Sequence, residues 1–307
     1  MTDKSIDLSV EIAGIKFSNP VIAASGTFGF GREFSNYMDL NALGGISVKG
    51  LTLEKRQGNR PPRIAETPAG ILNSVGLQNP GVKAFIEDEI PFLKGFDTKI
   101  IANIAGNTIE EYCSMADMLS DTGIDAIELN VSCPNVKKGC VAFGNSVEGI
   151  REITGRVKKH CKKPLIVKLT PNVTDIKEIA LAAEDAGADA VSLINTLLGM
   201  AIDVHRKSPI LANNVGGLSG PAVKPIAVRM VYEVAKAVRI PVIGMGGISS
   251  GEDAIEFMLA GASAVMVGTA NFVNPRVCVD VVEGIEHYLK RYNHSSVHEI
   301  IGKLQIY

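Results

Sequence analysis

Net charge, cysteine and long apolar runs are all scarce in this chain of 307 residues. Lysine and arginine total 31 against 33 acidic residues, and a net charge of −2 gives no basis for nucleic acid or an anionic membrane surface as the main partner. No apolar segment reaches the ~18–20 residues of a membrane span. Residues 1–14 carry acidic and polar side chains where a signal peptide needs an apolar run. We therefore expect a soluble, cytoplasmic protein.

The five cysteines are odd in number and lack compact spacing, which suits a reducing compartment better than a disulfide framework. Cys113 and Cys278 lie in helical patterns and Cys161 lies near a predicted helix end, so we expect all three to be structural. Cys133 and Cys140 share one loop without nearby histidine or cysteine partners, a poor pattern for a metal site. We expect neither a metal ion nor an iron–sulfur cluster on this chain.

Apolar residues make up 46% of the chain and glycines number 31, which allows a large core with many tight turns. Eight short apolar runs are separated by helical patterns or long inserts, at residues 21–24, 46–48, 99–104, 125–131, 165–169, 189–195, 241–245 and 264–267. Alternating strands and helices predict a parallel sheet, and eight such units predict a closed (β/α)8 barrel. We expect a single domain over residues 1–307. An open doubly wound sheet is the alternative, but no Gly-x-Gly-x-x-Gly follows the first strand.

Smaller elements are also predicted. Residues 8–17 resemble a short hairpin that turns at Ala13 and Gly14. After the fifth apolar run, Thr174 is expected to cap a helix that Gly187 ends. Residues 51–80 and 196–221 are too long for simple connections, so we expect them to form lids or binding loops.

The stretch from Ile127 to Asn135 begins as a strand and stops at Pro134, which cannot donate to a β-ladder. It carries Asn130 and the thiol of Cys133 to the strand end. A thiol can act as a base or nucleophile if its pKa, about 8.5 when unperturbed, suits the task. The alternative is a buried cysteine that acts as a small hydrophobe. The strand-end position and the polar neighbours favour the catalytic interpretation.

Polar side chains follow most of the predicted strands. The carboxyl ends of barrel strands converge on one rim, where barrel enzymes assemble their active sites. The residues at these ends are Ser25, Lys49, Asn103, Asn130, Lys168, Asn195 and Thr196. Backbone amides around Gly246, Gly247, Gly268 and Thr269 are predicted to bind a phosphate, because a Cβ atom would block close approach of the backbone. Gly217 to Gly220 offers a third set of amides.

These residues form motifs that resemble those of dihydroorotate dehydrogenases. The motifs run from about Leu8 to the C-terminus: Asn130-x-Ser-Cys133-Pro-Asn, Asn73-x-x-Gly-Leu-Gln-Asn79, Val48-Lys49-Gly50, Lys168-Leu-Thr-Pro171, Gly217-Leu-Ser-Gly220 and Met245-Gly-Gly-Ile-Ser249. The cysteine base and the absence of an N-terminal membrane helix argue against the quinone-linked class, which uses serine. The loop from Asn135 to Gly144 resembles the NAD-linked class (class 1B) more than the fumarate-linked class.

The resemblance implies an FMN enzyme that oxidises (S)-dihydroorotate to orotate in pyrimidine biosynthesis, with Cys133 as the general base. It implies a substrate site at Lys49, Asn73, Ser74, Val75, Gly76, Leu77, Asn130, Asn195 and Thr196. It implies an FMN site at Ser25, Lys49, Gly50, Asn103, Asn130, Lys168, Ile194, Gly220, Gly246, Gly247, Gly268 and Thr269. It further implies a partner subunit that carries FAD and a 2Fe–2S cluster, around a homodimer core within a heterotetramer.

Other functions are compatible with parts of this pattern. Besides the fumarate-linked class, a related enzyme would reduce uracil-type pyrimidines. A lyase would use Lys168 as a Schiff-base amine. A non-catalytic barrel would bind FMN or orotate without turnover. A flavin absorption spectrum would exclude the lyase.

Overall fold

The computed structural model describes residues 6–131 and 143–307. Its β-strands in chain order are β1 (Val10–Ile12), β2 (Ile15–Phe17), β3 (Val21–Ala23), β4 (Gly45–Ser47), β5 (Ile64–Thr67), β6 (Gly70–Asn73), β7 (Lys99–Ile104), β8 (Ala126–Asn130), β9 (Leu165–Lys168), β10 (Ala190–Leu193), β11 (Leu197–Gly199), β12 (Ile202–Asp203), β13 (Ser208–Pro209), β14 (Gly216–Ser219), β15 (Val242–Met245) and β16 (Ala264–Val267).

The α-helices are α1 (Val82–Ala84), α2 (Ile90–Leu93), α3 (Ile109–Ser120), α4 (Val147–His160), α5 (Ile176–Asp185), α6 (Lys224–Ala237), α7 (Gly251–Leu259) and α8 (Val277–Arg291). A π-helical turn, Phe85–Glu89, joins α1 to α2. Within the described ranges, no helix combines the length and the apolar character needed to cross a membrane.

Eight strands close into a parallel barrel in the order β3, β4, β7, β8, β9, β10, β15 and β16. Each strand overlaps one of the eight apolar runs, so the (β/α)8 prediction is confirmed and the open-sheet alternative is wrong. The strands are short runs of mainly aliphatic residues, and β9 and β16 are buried along their whole length. This pattern is typical of parallel strands that are covered on both faces.

The helices around the barrel begin at capping residues and bury one apolar face. In α4, the Ser146 side chain accepts a hydrogen bond from the Gly149 amide, and Ile150, Ile153 and Val157 are buried. Helix α5 starts one residue later than predicted, because the Asp175 side chain and not Thr174 accepts from the Lys177 amide. Since a carboxylate also complements the positive end of the helix dipole, Asp175 is the better cap.

Gly187 ends the α5 region as predicted. Its φ is +97°, its amide donates to Glu184 O, and the next amide, from Ala188, donates to Ala183 O. The predicted N-terminal hairpin is also confirmed, with β1 antiparallel to β2 and positive φ at Ala13 and Gly14.

The two long inserts build an accessory antiparallel sheet in the order β11, β14, β6 and β5. In the pairing of β14 with β6, Gly217 lies opposite Asn73, and Asn73 Nδ2 donates to Gly217 O at 3.4 Å. A side chain at Gly217 is excluded, because its Cβ would lie 2.0 Å from Thr196 Oγ1. The sheet thereby brings Asn73 and Thr196, from distant parts of the chain, close together.

Candidate functional site

A cavity opens at the carboxyl end of the barrel. Its location is shown by its lining, which includes residues at or just after seven of the eight strand ends. The accessory sheet contributes Ile64, Ile71, Leu218 and Ser219 to its wall. Most residues of the predicted substrate and FMN sites line this one cavity: Ser25, Lys49, Gly50, Asn73, Val75, Gly76, Leu77, Asn130, Lys168, Ile194, Asn195, Thr196, Gly220, Gly246, Gly247, Gly268 and Thr269.

Two of the predicted residues that the structure describes are not in this wall. Ser74 and Asn103 are fully buried and do not line the cavity, and Ser74 Oγ and Asn103 Oδ1 have no hydrogen-bond partner among the described residues. Cys133 lies outside the described residues, as does Cys140, so the assignment of the base stays a prediction. The direct contacts assigned to Ser74 and Asn103 stay predictions as well.

Amide side chains meet at one side of the cavity. Asn195 Nδ2 donates to Asn130 Oδ1 at 3.3 Å, and Asn195 Oδ1 accepts from the Thr196 amide at 2.8 Å. The Tyr112 hydroxyl donates to Asn130 O at 2.8 Å and ties the end of β8 to α3. Asn172 Nδ2 donates to Thr196 O at 3.0 Å. These contacts hold polar groups in a fixed arrangement, as recognition of a small polar ring requires.

A buried carboxylate, Glu128, lies in the barrel interior one layer below Asn130. It accepts hydrogen bonds from Ser47 Oγ at 2.7 Å, Ser192 Oγ at 2.7 Å and Asn103 Nδ2 at 2.5 Å. The Lys168 ammonium is 3.9 Å from Glu128 Oε2. Burial opposes ionisation of this carboxyl, but the Lys168 charge and the three hydrogen bonds outweigh it, and they hold the pKa of Glu128 below its ordinary value.

Glu128 was not among the predicted site residues. A usable signal existed, because alternate residues of a strand face the same side. Glu128 is two residues before Asn130, as Ser47 is before Lys49 and Ser192 before Ile194. A glutamate on the strand face that points into the barrel is unusual, because aliphatic residues dominate barrel interiors. The alternation therefore predicts a polar layer below the rim.

Glycines allow three backbone segments to meet at another part of the cavity wall. Gly220, Gly246 and Gly247 have φ values of +103°, +129° and +79°. A Cβ atom would lie 2.7 Å from Gly70 Cα at Gly220, and 2.8 Å from Lys224 Cβ at Gly247. Thr269 Oγ1 donates to Ser219 Oγ at 2.8 Å and joins the loop after β16 to the accessory sheet. The result is a backbone cradle of the kind that binds phosphate.

Asp253 of α7 holds the loop that follows Gly247. Its carboxylate accepts from the Ser249 amide and hydroxyl, each at 2.9 Å, and from Lys224 Nζ at 2.6 Å. The Ser250 hydroxyl accepts from the Asp253 amide and caps α7. Burial opposes ionisation of Asp253, but the hydrogen bonds from Lys224, Ser249 and Ser250 outweigh it and lower its pKa. An ionised Asp253 thus fixes the cradle at neutral pH.

The three described cysteines lie away from the cavity. Cys113 and Cys278 are buried in α3 and α8, and Cys161 follows the end of α4. Burial raises the pKa of all three thiols, that of Cys278 to about 12. They stay protonated near neutrality, which fits the predicted structural role.

Comparison with known proteins places this chain in one family. The dihydroorotate dehydrogenase family profile matches residues 7–289. The chain is 64% identical over 298 residues to the protein of Alkaliphilus oremlandii named dihydroorotate dehydrogenase B (NAD(+)), catalytic subunit, covering 97% of this chain and 99% of that one. Proteins of the same name are 61% identical in Thermoanaerobacter pseudethanolicus and 58% in Bacteroides thetaiotaomicron, each over 301 residues, 98% of this chain, and 100% and 99% of theirs. The chain belongs to the dihydroorotate dehydrogenase family.

Proposed function

We propose that this protein oxidises (S)-dihydroorotate to orotate in pyrimidine (UMP) biosynthesis, with FMN as the bound electron acceptor. The observation that carries the proposal is the convergence of the predicted substrate and FMN residues on one cavity at the carboxyl end of the barrel. The relatives named above are NAD-linked enzymes and catalytic subunits by name. That naming supports the NAD-linked class for this chain.

The described residues fit FMN in three ways. The cradle of Gly220, Gly246 and Gly247 leaves no room for side chains and exposes backbone to the cavity, as phosphate binding requires. Lys168 also lines the cavity, and a cation there would stabilise negative charge on a reduced flavin. Asn103 does not itself line the cavity, but its Oδ1 is buried next to Gly50, which does, and has no partner among the described residues, so an N–H group of a ligand would satisfy this acceptor.

The substrate would lie between the amide cluster and the loop that follows β6. Asn73, Asn130, Asn195 and Thr196 would hold its ring amides and carboxylate, and Ser74 to Leu77 would close over it. Lys49 would contact both substrate and cofactor. Cys133 would accept the proton from C5 as the C6–H bond breaks. FMN, when bound, supplies the two-electron acceptor that takes the hydride from C6.

Electrons would then pass to NAD through a partner. We propose an electron-transfer subunit that carries FAD and a 2Fe–2S cluster, bound to a homodimer of this chain in the cytoplasm. The name "catalytic subunit" of the relatives supports a separate companion chain. The distribution of cofactors explains how a chain with no dinucleotide-binding fingerprint after its first strand could serve NAD.

The proposal is tested on the purified chain by absorption spectroscopy. We expect a flavin spectrum with one FMN per chain, bleached under anaerobic conditions by dihydroorotate and much less by dihydrouracil. Bleaching by dihydrouracil alone would assign the chain to uracil-type reduction. A colourless protein that borohydride links covalently to a carbonyl substrate through Lys168 would contradict flavin chemistry altogether.

A further inference from the structure

The Glu128–Lys168 pair extends from the centre of the barrel to the wall of the cavity. The side chain of Glu128 is 0% exposed and that of Lys168 is 6% exposed, yet Lys168 lines the cavity and Glu128 does not. Burying two charges costs free energy that the attraction between them offsets only with good geometry and further hydrogen bonds. Glu128 has those hydrogen bonds, from Ser47, Ser192 and Asn103.

The donors around Glu128 come from three different strands. Ser47 ends β4, Asn103 lies on β7 and Ser192 on β10, so the carboxylate is held from three sides of the barrel. A group held in this way cannot follow the movements of a flexible lysine. The carboxylate instead limits where the Lys168 ammonium can lie.

Glu128 also orients Asn103. Because Asn103 Nδ2 donates to Glu128, the acceptor Oδ1 must point the other way, toward Gly50. Gly50 lines the cavity, and Asn103 Oδ1 is buried with no partner in the part of the chain that the structure describes. One carboxylate thus directs a cation and an acceptor, both of them residues of the predicted FMN site.

We propose that Glu128 is a positioning residue that fixes Lys168 and Asn103 beside the flavin and, as the counter-ion of Lys168, lowers the flavin's reduction potential. The inference rests on the proposed function, since it takes the bound group to be FMN. A lone ammonium would stabilise the reduced, negatively charged flavin and retain its electrons. A balancing carboxylate keeps the reduced flavin able to pass electrons on to a low-potential acceptor such as NAD.

The test compares the flavin midpoint potential in the wild type, Glu128→Gln, Lys168→Met and the double variant. At a fixed applied potential, Glu128→Gln should raise the ratio of reduced to oxidised flavin about tenfold. For a two-electron couple this corresponds to a midpoint potential that is ~30 mV higher than in the wild type. Lys168→Met should lower the ratio by a similar factor. The double variant replaces a neutral pair by neutral side chains, so its ratio should return to within about threefold of the wild type.

Ser192→Ala is the matched control, because it removes one hydrogen bond to Glu128 without changing any charge. Its potential should stay close to the wild-type value. A shift as large as that of Glu128→Gln would show that general disruption, and not the carboxylate charge, controls the potential. That outcome would overturn the inference.

A folded Glu128→Gln protein with full FMN content and the wild-type potential would also overturn it. Glu128→Gln alone leaves Lys168 buried without a counter-ion. If that variant does not fold, the comparison of Lys168→Met with the double variant tests the inference. A double variant with the same potential as Lys168→Met overturns the inference, and one with the wild-type potential supports it. A wild type that binds no FMN would refute the proposed function and this inference together, whereas unchanged variants of an FMN-bound protein refute the inference alone.

Discussion

Gly50 lies so close to Asn103 that a Cβ atom on Gly50 would be 2.9 Å from Asn103 Oδ1. The same atom would be 3.5 Å from Leu77 Cδ2, in the loop after β6. One glycine therefore lets three segments of the predicted site approach each other: the loop after β4, strand β7 and the loop after β6. If the predicted site is correct, this contact makes Gly50 a sensitive position for the cofactor and the substrate alike.

Gly50→Ala should weaken flavin binding and destabilise the fold by about 1–3 kcal/mol, because a methyl group is forced into a packed region. Flavin content after gel filtration and urea unfolding measure the two effects. Gly155→Ala is the control, since Gly155 lies in α4 and the nearest atom to an added Cβ is 3.9 Å away. That variant should be at least as stable as the wild type. Full flavin content and unchanged stability in Gly50→Ala would contradict the close contact.

Gly247→Asp should lose FMN, since the new side chain adds bulk and negative charge at the predicted phosphate cradle. Gly14→Asp is a matched control, because Gly14 has nearly the same φ, +78° against +79°, and no atom of the described residues within 4 Å of an added Cβ. It introduces the same charge and the same backbone strain far from the cavity. A folded Gly247→Asp protein that retains as much flavin as Gly14→Asp would refute the phosphate assignment.

Asp253→Asn should destabilise the protein by about 1.5–3 kcal/mol at pH 7, through loss of charged hydrogen bonds to Lys224 and Ser249. The pKa of Asp253 is lowered in the folded state from an ordinary value of 3.8, so its stabilising effect is complete above that value. The effect is lost as the pH falls through the lowered pKa. We therefore expect the difference in thermal stability between wild type and variant to be constant from neutral pH down to about pH 5.

Glu256→Gln is the comparison for Asp253→Asn. Glu256 also accepts from Lys224, at 2.8 Å, but its side chain is 50% exposed against 13% for Asp253. An exposed ion pair contributes at most about 1 kcal/mol, so this variant should be the milder of the two. If the stabilising effect of Asp253 disappears between pH 7 and pH 5, the direction assigned to its pKa is wrong.

The barrel was predictable from the sequence because its signals are local. Aliphatic runs gave all eight barrel strands, and Gly187 marked a helix end by its left-handed conformation. The cap of α5 was predicted one residue too early, since Thr174 and Asp175 are both good capping residues and spacing alone does not separate them. The accessory sheet was predicted only as long inserts, because its pairing joins Asn73 to Gly217 across 144 residues.

Only part of the candidate site was predicted from the sequence, namely the residues whose position follows from chain order. Residues at strand ends, such as Lys49 and Lys168, could be located from chain order, because a barrel gathers its strand ends at one rim. Glu128 is not at a strand end, so chain order did not locate it, although the alternation of residues along β8 marks its inward face. The motif at Asn73 to Asn79 placed Ser74 with the cavity residues, but its side chain is buried behind them.

Electron flow gives a prediction about the isolated chain. Without a companion subunit, the protein should reduce artificial acceptors with dihydroorotate but should reduce NAD poorly, since the proposed FAD and 2Fe–2S centres lie on the partner. Steady-state assays with a dye and with NAD measure both rates on one preparation. Rapid NAD reduction by the single purified chain would contradict the need for a partner.

The most direct test of the account is anaerobic stopped-flow measurement of flavin reduction by dihydroorotate in the wild type, Cys133→Ser and Cys140→Ser. If Cys133 is the base, its replacement should slow flavin reduction by ~10²–10⁴-fold, because a positioned base contributes about that much. Flavin content and orotate binding should change little, and the wild-type rate should rise with pH as the thiolate fraction grows. Cys140→Ser should react at nearly the wild-type rate. A normal rate in Cys133→Ser together with a crippled Cys140→Ser would show that the wrong thiol has been assigned as the base.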